Sequence, residues 1–386
     1  MPTPKLRFKE FDTDYIETKY EKFAPLQRGF DLPVSTIIDG EYPVVFSNGI
    51  LKKHNQFKVK APGVVTGRSG TIGNITWVEK DYWPHNTSLW VTNFFDNEPK
   101  YVFYFLQEFD VSRFASGSGV PTLNRNDVHT QLISIPTNKK EQTKIASFLS
   151  AVDEKISQLT QKHALLTQYK QGMIQKLFSQ EIRFKADDGS EFGEWEKTAL
   201  NTLCSRSYQG INTVADKVEY QQSGYPILQA KHITSEKLDL VDVRYLSDLD
   251  YEKYKEKYIP KVNDILFSNI GTIGKVVLVG TENPFFIAWN IFLITPKETL
   301  ITPLYLTSYL RWLTALNYFD NLQTGNATKF INKTDLLATV INLPCLAEQT
   351  KIANFLSAID QKIEVVAQQI EQAKTWKKGL LQQMFV

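Results

Sequence analysis

Apolar residues recur in alternating steps of four and three along two long stretches of the chain. The positions are Ile145, Leu149, Val152, Ile156, Leu159 and Leu166 in the first stretch, and Ile352, Leu356, Ile359, Ile363, Val366 and Ile370 in the second. This spacing predicts a coiled-coil seam, because each apolar side chain must meet a facing helix about every 3.5 residues. Neither stretch contains proline, and about 38 residues of helix would span about 57 Å. The alternative is two ordinary amphipathic helices in one globular core.

The two stretches are copies of each other. EQTKIASFLSAVDEKI at residues 141–156 returns as EQTKIANFLSAIDQKI at residues 348–363. Pro136 and Pro344 stand just ahead of the predicted helices, where a missing N–H does little harm. An internal repeat of this length indicates that the chain consists of two copies of one unit.

Residues 1–135 read as a strand-rich domain with short apolar runs between Gly, Asn and Pro turns. The predicted strands cover residues 42–46, 63–66, 72–78, 88–92 and 132–135, and helical spacing predicts a helix over 99–109. A polar linker at 181–196 follows the first long helix. Residues 198–340 then repeat the first domain with different residues: the Gly-Thr-Ile-Gly motif at 70–73 returns at 271–274, and the apolar helix returns at 303–313.

We therefore predict an α+β fold in which two pseudo-repeated domains are joined by two long antiparallel coiled-coil helices. The predicted boundaries are 1–135 for the first domain, 136–180 for the first helix, 181–340 for the linker and second domain, and 341–386 for the second helix. The helices are nearly identical between copies, whereas the domains share only turn residues and apolar spacing. Two similar scaffolds with different surfaces are typical of a protein that reads two different targets a fixed distance apart.

Composition excludes several classes of protein. The chain has 386 residues and a net charge of +2, and its basic and acidic residues are distributed so that no segment is a strongly basic nucleic-acid arm. Two cysteines exclude a disulfide framework, and five scattered histidines give no metal-ligand spacing. No apolar run has the length of a membrane span, and the N-terminus lacks an apolar signal core. We expect a cytoplasmic protein with no membrane association and no metal site.

Catalytic motifs are represented only by fragments. Asn283-Pro284-Phe285-Phe286 is similar to the Asn-Pro-Pro-aromatic element of adenine methyltransferases, but its second proline and a glycine-rich cofactor loop are missing, so a turn is the preferred interpretation. Gly274-Lys275 lacks the other residues of a phosphate-binding P-loop. Asp153-x-Lys155 is a nuclease-like triplet, but it lies on the predicted coiled coil. We expect no catalytic residues and no cofactor bound by this chain.

The remaining chemistry is that of a recognition surface. Glycine lets a backbone approach a phosphate or a base edge closely, an arginine can bond a guanine through two N–H groups, and an asparagine can pair with an adenine. The alternative for each candidate is a structural turn, with Ile72 and Ile273 in the core, or a solvated loop. The candidate DNA contacts are Lys52, Lys53, His54, Asn55, Arg68, Ser69, Gly70, Thr71, Asn74, Arg113, Ser118 and Arg125 in the first copy, and Gln229, Lys231, His232, Asn269, Gly271, Thr272, Lys275, Asn290, Asn326, Thr328 and Lys329 in the second.

With these motifs in place, the chain resembles the specificity (S) subunit of type I restriction–modification systems over essentially its whole length. The resemblance rests on the paired E-Q-T-K-I-A helices, their apolar–Pro lead-ins and the doubled G-T-I-G. It implies two target-recognition domains that each read one half of a bipartite site in double-stranded DNA, and helices that set the spacing. One departure is that Arg68 precedes the first glycine turn where Asn269 precedes the second. An arginine contact therefore does not transfer directly to the second domain.

The resemblance also implies partner subunits. Two modification subunits would dock on the helices and bring S-adenosylmethionine and the methyltransferase site. Restriction subunits would bring ATP and Mg for translocation and cleavage. Two alternatives of other classes remain open from the residues themselves. One is a coiled-coil adaptor that binds proteins, and the other is a stand-alone methyltransferase or nuclease.

Overall fold

The computed structural model of the chain describes residues 3–117, 121–234, 237–281, 283–323 and 329–385. Two helices dominate these residues: α3 covers Lys139–Phe178 and α7 covers Leu346–Met384, with 40 and 39 residues. The other helices are α1 (Pro99–Glu108), α2 (Arg125–His129), α4 (Asp248–Tyr258), α5 (Pro303–Ala315) and α6 (Lys333–Leu337). The prediction of two long helices is confirmed.

The strands of the first half are β1 (Tyr15–Lys19), β2 (Leu26–Arg28), β3 (Tyr42–Phe46), β4 (Gly49–His54), β5 (Gly63–Gly67), β6 (Ile75–Val78), β7 (Trp83–Pro84), β8 (Ser88–Val91), β9 (Ala115–Ser116), β10 (Thr122–Leu123) and β11 (Leu132–Pro136). Those of the second half are β12 (Glu196–Ala199), β13 (Cys204–Gln209), β14 (Tyr225–Leu228), β15 (Arg244–Leu246), β16 (Ile265–Ser268), β17 (Val276–Leu278), β18 (Phe286–Ile287), β19 (Ile291–Pro296) and β20 (Val340–Leu343).

The chain divides into two compact units. Unit 1 comprises residues 1–163 and 365–386, and unit 2 comprises residues 164–364. Each unit thus contains one α+β domain together with a part of both long helices. These units cut across the boundaries expected from the sequence, because the helices are shared between them. The exact domain boundaries stay a prediction.

Three sheets of unit 1 have counterparts in unit 2. The antiparallel pair β1–β11 corresponds to β12–β20, and the four-stranded order β2-β8-β5-β6 corresponds to β13-β19-β16-β17. The three-stranded order β4-β3-β7 corresponds to β15-β14-β18. In both sheets the central strand has one antiparallel and one parallel neighbour. The same sheet topology in both halves confirms the pseudo-repeat predicted from the sequence.

Each long helix contributes to the core of both units. In unit 1, Ile145, Leu149 and Val152 of α3 and Leu380 and Met384 of α7 belong to one buried cluster with the apolar face of α1. In unit 2, Leu177 and Phe178 of α3 and Ile352 and Leu356 of α7 bury against α5. Most seam positions are therefore shielded from water, as a paired helix requires. Ile156, Leu166 and Ile363 are only partly buried.

Local signals explain the ends of the short helices. α1 and α5 each begin with proline at the first helical position, and the side chains of Glu98 and Thr302 cap them. Asn124 and Asn332 cap α2 and α6 in the same way, accepting from the N–H of Asn126 and of Asp335. The sequence repeats an asparagine followed three residues later by an aspartate, at Asn124 and Asp127 and at Asn332 and Asp335, and in both copies the asparagine is the helix cap.

Two features differ from the sequence-based expectations. The strand expected over 72–78 begins only at Ile75, because Gly73 has φ +83° and the turn occupies the residues before it. Helix α4 of unit 2 was missed. Its signal is the N-cap Ser247, whose hydroxyl oxygen accepts from the Asp250 N–H, with acidic residues in the first turn.

Candidate functional site

The doubled Gly-Thr-Ile-Gly motif forms the same turn in both units. It joins β5 to β6 in unit 1 and β16 to β17 in unit 2, and the φ angles of Gly70, Gly73, Gly271 and Gly274 lie between +79° and +83°. Glycine adopts this left-handed conformation without the steric cost that other residues incur. The isoleucine of each turn packs against the core of its own unit. The motif therefore has the structural role of a tight turn, and only its first two residues, Gly70 and Thr71 in unit 1 and Gly271 and Thr272 in unit 2, are exposed.

In unit 1 the turn lies beside the loop that precedes α2. The N–H of Leu123 donates to the carbonyl oxygen of Arg68 at 2.8 Å, and Ser69 forms a β-bridge with Thr122. Arg125, the first residue of α2, is exposed. These contacts gather Arg68, Ser69 and the start of α2, which are separated by more than fifty positions in the sequence.

Other candidates of unit 1 lie outside these contacts. The guanidinium of Arg113 lies over the rings of Phe109 and Phe114, at 4.7 and 4.8 Å. Asn74 faces the β3–β4 turn, since a Cβ on Gly49 would lie 3.7 Å from its amide nitrogen. Lys52 and Lys53 are exposed on β4, which belongs to the other large sheet of the unit.

In unit 2 a corresponding surface forms from four separate segments. The N–H of Asn269 donates to the carbonyl oxygen of Asn290 at 3.2 Å, and the side-chain oxygen of Asn290 accepts from Ala230 at 3.2 Å. The N–H of Gly271 donates to the carbonyl oxygen of Lys329 at 3.3 Å. The segment at Ala230, the glycine turn, Asn290 and Lys329 therefore meet, which brings together predicted contact residues from four parts of the sequence.

Three candidate side chains are buried in this conformation. His54 is 5% exposed with Nδ1 against the backbone of Ile38, and the Asn269 side chain donates to Ile331 inside the unit. His232 is 2% exposed, and its Nδ1 accepts from the Gln229 N–H at 2.9 Å. Burial lowers the pKa of His232, so this ring is neutral at neutral pH. Ser118, Asn326 and Thr328 lie outside the described residues.

The function of the Glu-Gln pair that opens each repeated helix was not recognised from the sequence. Glu141 is fully buried and accepts from Arg7 at 2.7 and 2.8 Å. Glu348 is likewise fully buried and accepts from Arg183 at 3.1 and 2.8 Å. The signal was present, because Arg-Phe-Lys occurs at both 7–9 and 183–185, but only the fold shows which carboxylate each arginine meets.

The glutamine of each pair holds the short apolar helix of its unit. The Oε1 atom of Gln142 accepts from the Glu98 N–H at 2.9 Å, and that of Gln349 accepts from the Thr302 N–H at 2.8 Å. Both side chains also donate to the carbonyl oxygen of the preceding proline, Pro136 or Pro344. The repeated motif is thus a pair of anchors that orient each domain on its helices.

Each unit also contains a lysine–aspartate pair between the long helices. Lys377 of α7 contacts Asp153 of α3 at 2.7 Å in unit 1, and Lys170 of α3 contacts Asp360 of α7 in unit 2. Both lysines occupy seam positions in the apolar repeat. A charged pair at an otherwise apolar seam fixes the register of the two helices, and the contact gives Asp153 a structural partner.

No observation points to catalysis within the described residues. In those ranges His, Cys, Asp and Glu nowhere gather in groups of three or more that could hold a metal ion. Every helix in the same ranges is too short or too polar to be a membrane span. The chain has a duplicated α+β scaffold, and different polar loops surround the same glycine turn in each copy. These features are those of a recognition protein with two related but different binding domains.

The chain belongs to the family described as the type I restriction modification DNA specificity domain, whose sequence model matches residues 31–168 and 193–375. This membership confirms the resemblance stated above and agrees with the expectation that the chain is not itself an enzyme. No comparison favours the adaptor or the stand-alone methyltransferase or nuclease.

Individual relatives have the same assignment. A Methanocaldococcus jannaschii protein assigned as the type I restriction enzyme MjaX specificity subunit is 32% identical over 214 residues, which cover 54% of this chain and 49% of that protein. The MjaVIII specificity subunit of the same organism is 25% identical over 73% of this chain and 68% of its own length. The match thus spans about half the length of the first of these relatives.

Solved structures share the fold. The S subunit of the type I restriction–modification system from M. genitalium superposes with a TM-score of 0.64 at 15% identity, covering 100% of this chain and 99% of that chain. A chain from a study of complex assembly and conformational transition of the type I R-M system gives a TM-score of 0.60 at 15% identity, covering 97% and 99%.

Proposed function

We propose that this chain is the DNA specificity subunit of a type I restriction–modification complex, in which the domain of each unit reads one half of a bipartite DNA site. The observation that carries the proposal is that the same glycine turn is preceded by a different residue in each unit. Arg68 and Asn269 hold the same position before the turn, yet one side chain is partly exposed and the other is buried. A shared scaffold with different readers produces two different half-sites.

The exposed polar groups support this role chemically. The guanidinium of Arg68 bonds the O6 and N7 acceptors of guanine, and the amide of Asn74 pairs with adenine. Lys52 and Lys53 contact phosphates, which position the protein without reading sequence. In unit 2, Lys231 and Lys329 are exposed cations on the corresponding surface. With a net charge of +2, the chain depends on partner subunits for part of the phosphate contact.

The long helices set the distance between the half-sites and carry the modification subunits. A helix of 40 residues is about 60 Å long, which is the order of one to two turns of B-DNA. The modification subunits supply S-adenosylmethionine and the methyltransferase site, and the restriction subunits supply ATP and Mg. This chain supplies sequence recognition in the cytoplasm, where the DNA lies.

Exchanging one domain tests the proposal. Residues 198–340 are replaced by the matching segment of another family member, and the methylated motif is determined by sequencing host DNA. We expect one half-site to change while the other half-site and the spacer stay the same. The matched control replaces residues 1–135 and changes the opposite half-site. An exchange that altered both half-sites, or neither, would refute the assignment of one reader to each unit.

Removing seven residues from each long helix tests the spacer role separately. The two deletions must be made together so that the antiparallel registers stay matched. We expect a shorter spacer between unchanged half-sites. Retention of the original spacer by a complex that still methylates DNA would contradict this part of the proposal.

A further inference from the structure

The short apolar helices α1 and α5 hold the same place in their units. The backbone N–H that precedes α1 bonds Gln142, and the one that precedes α5 bonds Gln349, the same residue of each repeat. Counting six residues from these anchors, Tyr104 on α1 corresponds to Ser308 on α5. A large aromatic residue in one unit is thus replaced by a small one in the other.

In unit 1 Tyr104 contacts both partners of the ion pair between the long helices. The Tyr104 hydroxyl donates to Asp153 at 2.8 Å, and the Lys377 ammonium lies 5.4 Å from the centre of the ring. Lys377 bonds Asp153 at 2.7 Å and also donates to Gln107 at 3.2 Å. Tyr104 is fully buried, so its ring fills the space between α1 and the helix pair.

In unit 2 the ion pair is kept and the ring is absent. Lys170 and Asp360 make the corresponding contact, but the serine at 308 ends at its hydroxyl. A cavity of about 760 Å³ lies here, and Lys170, Asp360, Ser308, Arg311 and Trp312 are among the residues that line it. The open space therefore borders Lys170 and Asp360, the counterparts of the Lys377 and Asp153 side chains that hold the Tyr104 ring in unit 1.

We propose that this cavity is a binding site for a hydroxyphenyl group. The phenolic O–H donates to the Asp360 carboxylate, as Tyr104 donates to Asp153, and the ring lies against the Lys170 ammonium in a cation–π contact. The cavity of about 760 Å³ is larger than a phenol, so it leaves room for a further substituent on the ring. Its source is either a substituted small phenol or a tyrosine side chain of a bound protein. This inference does not depend on which DNA is read.

The first experiment uses p-cresol, the tyrosine side-chain analogue, with the full-length chain. We expect saturable binding at one site, and toluene, which lacks the hydroxyl, should bind about tenfold more weakly because a hydrogen bond to a charged group is lost. Equal affinity for the two ligands would overturn the proposal. This comparison needs no variant and so does not depend on the folding of one.

Two reciprocal variants locate the site. Ser308→Tyr fills the cavity and should abolish p-cresol binding while the circular dichroism spectrum is retained. Tyr104→Ser opens the matching space in unit 1 and should raise the stoichiometry from one to two. Undiminished binding by a folded Ser308→Tyr chain would overturn the proposal.

A final arm distinguishes the two sources. If a partner's tyrosine fills the cavity, p-cresol and Ser308→Tyr should both weaken assembly with the modification subunits. If a small molecule fills it, the assembled complex should still bind p-cresol and assembly should be unaffected by Ser308→Tyr. A complex that neither binds p-cresol nor responds to the variant would refute the site in the assembled protein. The recognised DNA motif should be unchanged throughout.

Discussion

Replacing Glu348 by alanine should destabilise unit 2 more than any ordinary surface substitution. Its carboxylate is fully buried in the first turn of α7 and accepts from Arg183 through two N–H groups and from the Trp195 indole at 3.0 Å. Removing it leaves the partly buried guanidinium and the indole without this acceptor. Breaking a buried ion pair by removing one partner typically costs about 3–5 kcal/mol, and we expect a loss of that order.

Urea unfolding, followed by tryptophan fluorescence and by circular dichroism, measures this loss. Glu252→Ala is the matched control, because Glu252 forms an exposed pair with Lys255 on α4 and should change stability by less than about 0.5 kcal/mol. A cycle with Arg183→Met isolates the pairwise energy, since the double variant should lose less than the sum of the single losses. A Glu348→Ala chain that unfolds within about 1 kcal/mol of the wild type would refute the assigned role.

Three further predictions concern recognition, helix pairing and pH. Arg68→Ala should relax the methylated motif at one position of one half-site, with a loss of about 1–3 kcal/mol in discrimination, while an unchanged motif would exclude a base contact. Asp153→Asn should lower the stability of unit 1 by about 1 kcal/mol because it weakens the bonds from Lys377 and Tyr104, and urea unfolding would show it. Burial lowers the pKa of His129 and His232, whose ring nitrogens accept from backbone N–H groups. Below about pH 6.5 the unfolded chain therefore binds more protons than the folded chain. The free energy of unfolding should be highest near pH 7 and fall as the pH drops below about 6.5. A urea midpoint that does not change over this pH range would contradict the prediction.

The long helices and the shared turns could be predicted because their signals are local and repeated. A 4-3 alternation of apolar residues indicates the contact face of a helix even when its partner helix is unknown. A turn that needs positive φ angles is visible in the sequence because glycine occupies those positions. The buried Glu141 could not be predicted in the same way. A glutamate in the first turn of a helix is favourable on an exposed surface as well, so its sequence context does not reveal burial.

The candidate DNA interface also contains some residues whose exposure could be predicted from the sequence and others whose burial could not. Exposed glycine-turn residues such as Gly70 and Thr71 stay on the surface as expected. His54 and Asn269 look like polar surface residues in the sequence, yet their hydrogen bonds to Ile38 and Ile331 hold them inside the fold. Such bonds join residues that are distant along the chain, and a polar residue type alone does not distinguish a side chain held inside the fold from one that is free to contact DNA.

The lysine–aspartate pairs between the long helices have one further consequence. Each copy of the repeat carries both an aspartate and a lysine, so any copy is complementary to itself as well as to the other. Copies on separate chains could therefore also pair with a second copy of themselves and combine two identical domains. Covalent fusion makes the pairing intramolecular at an effective concentration of about millimolar. The covalent link therefore favours a protein in which the two domains differ, and such a protein recognises a DNA site with two different halves.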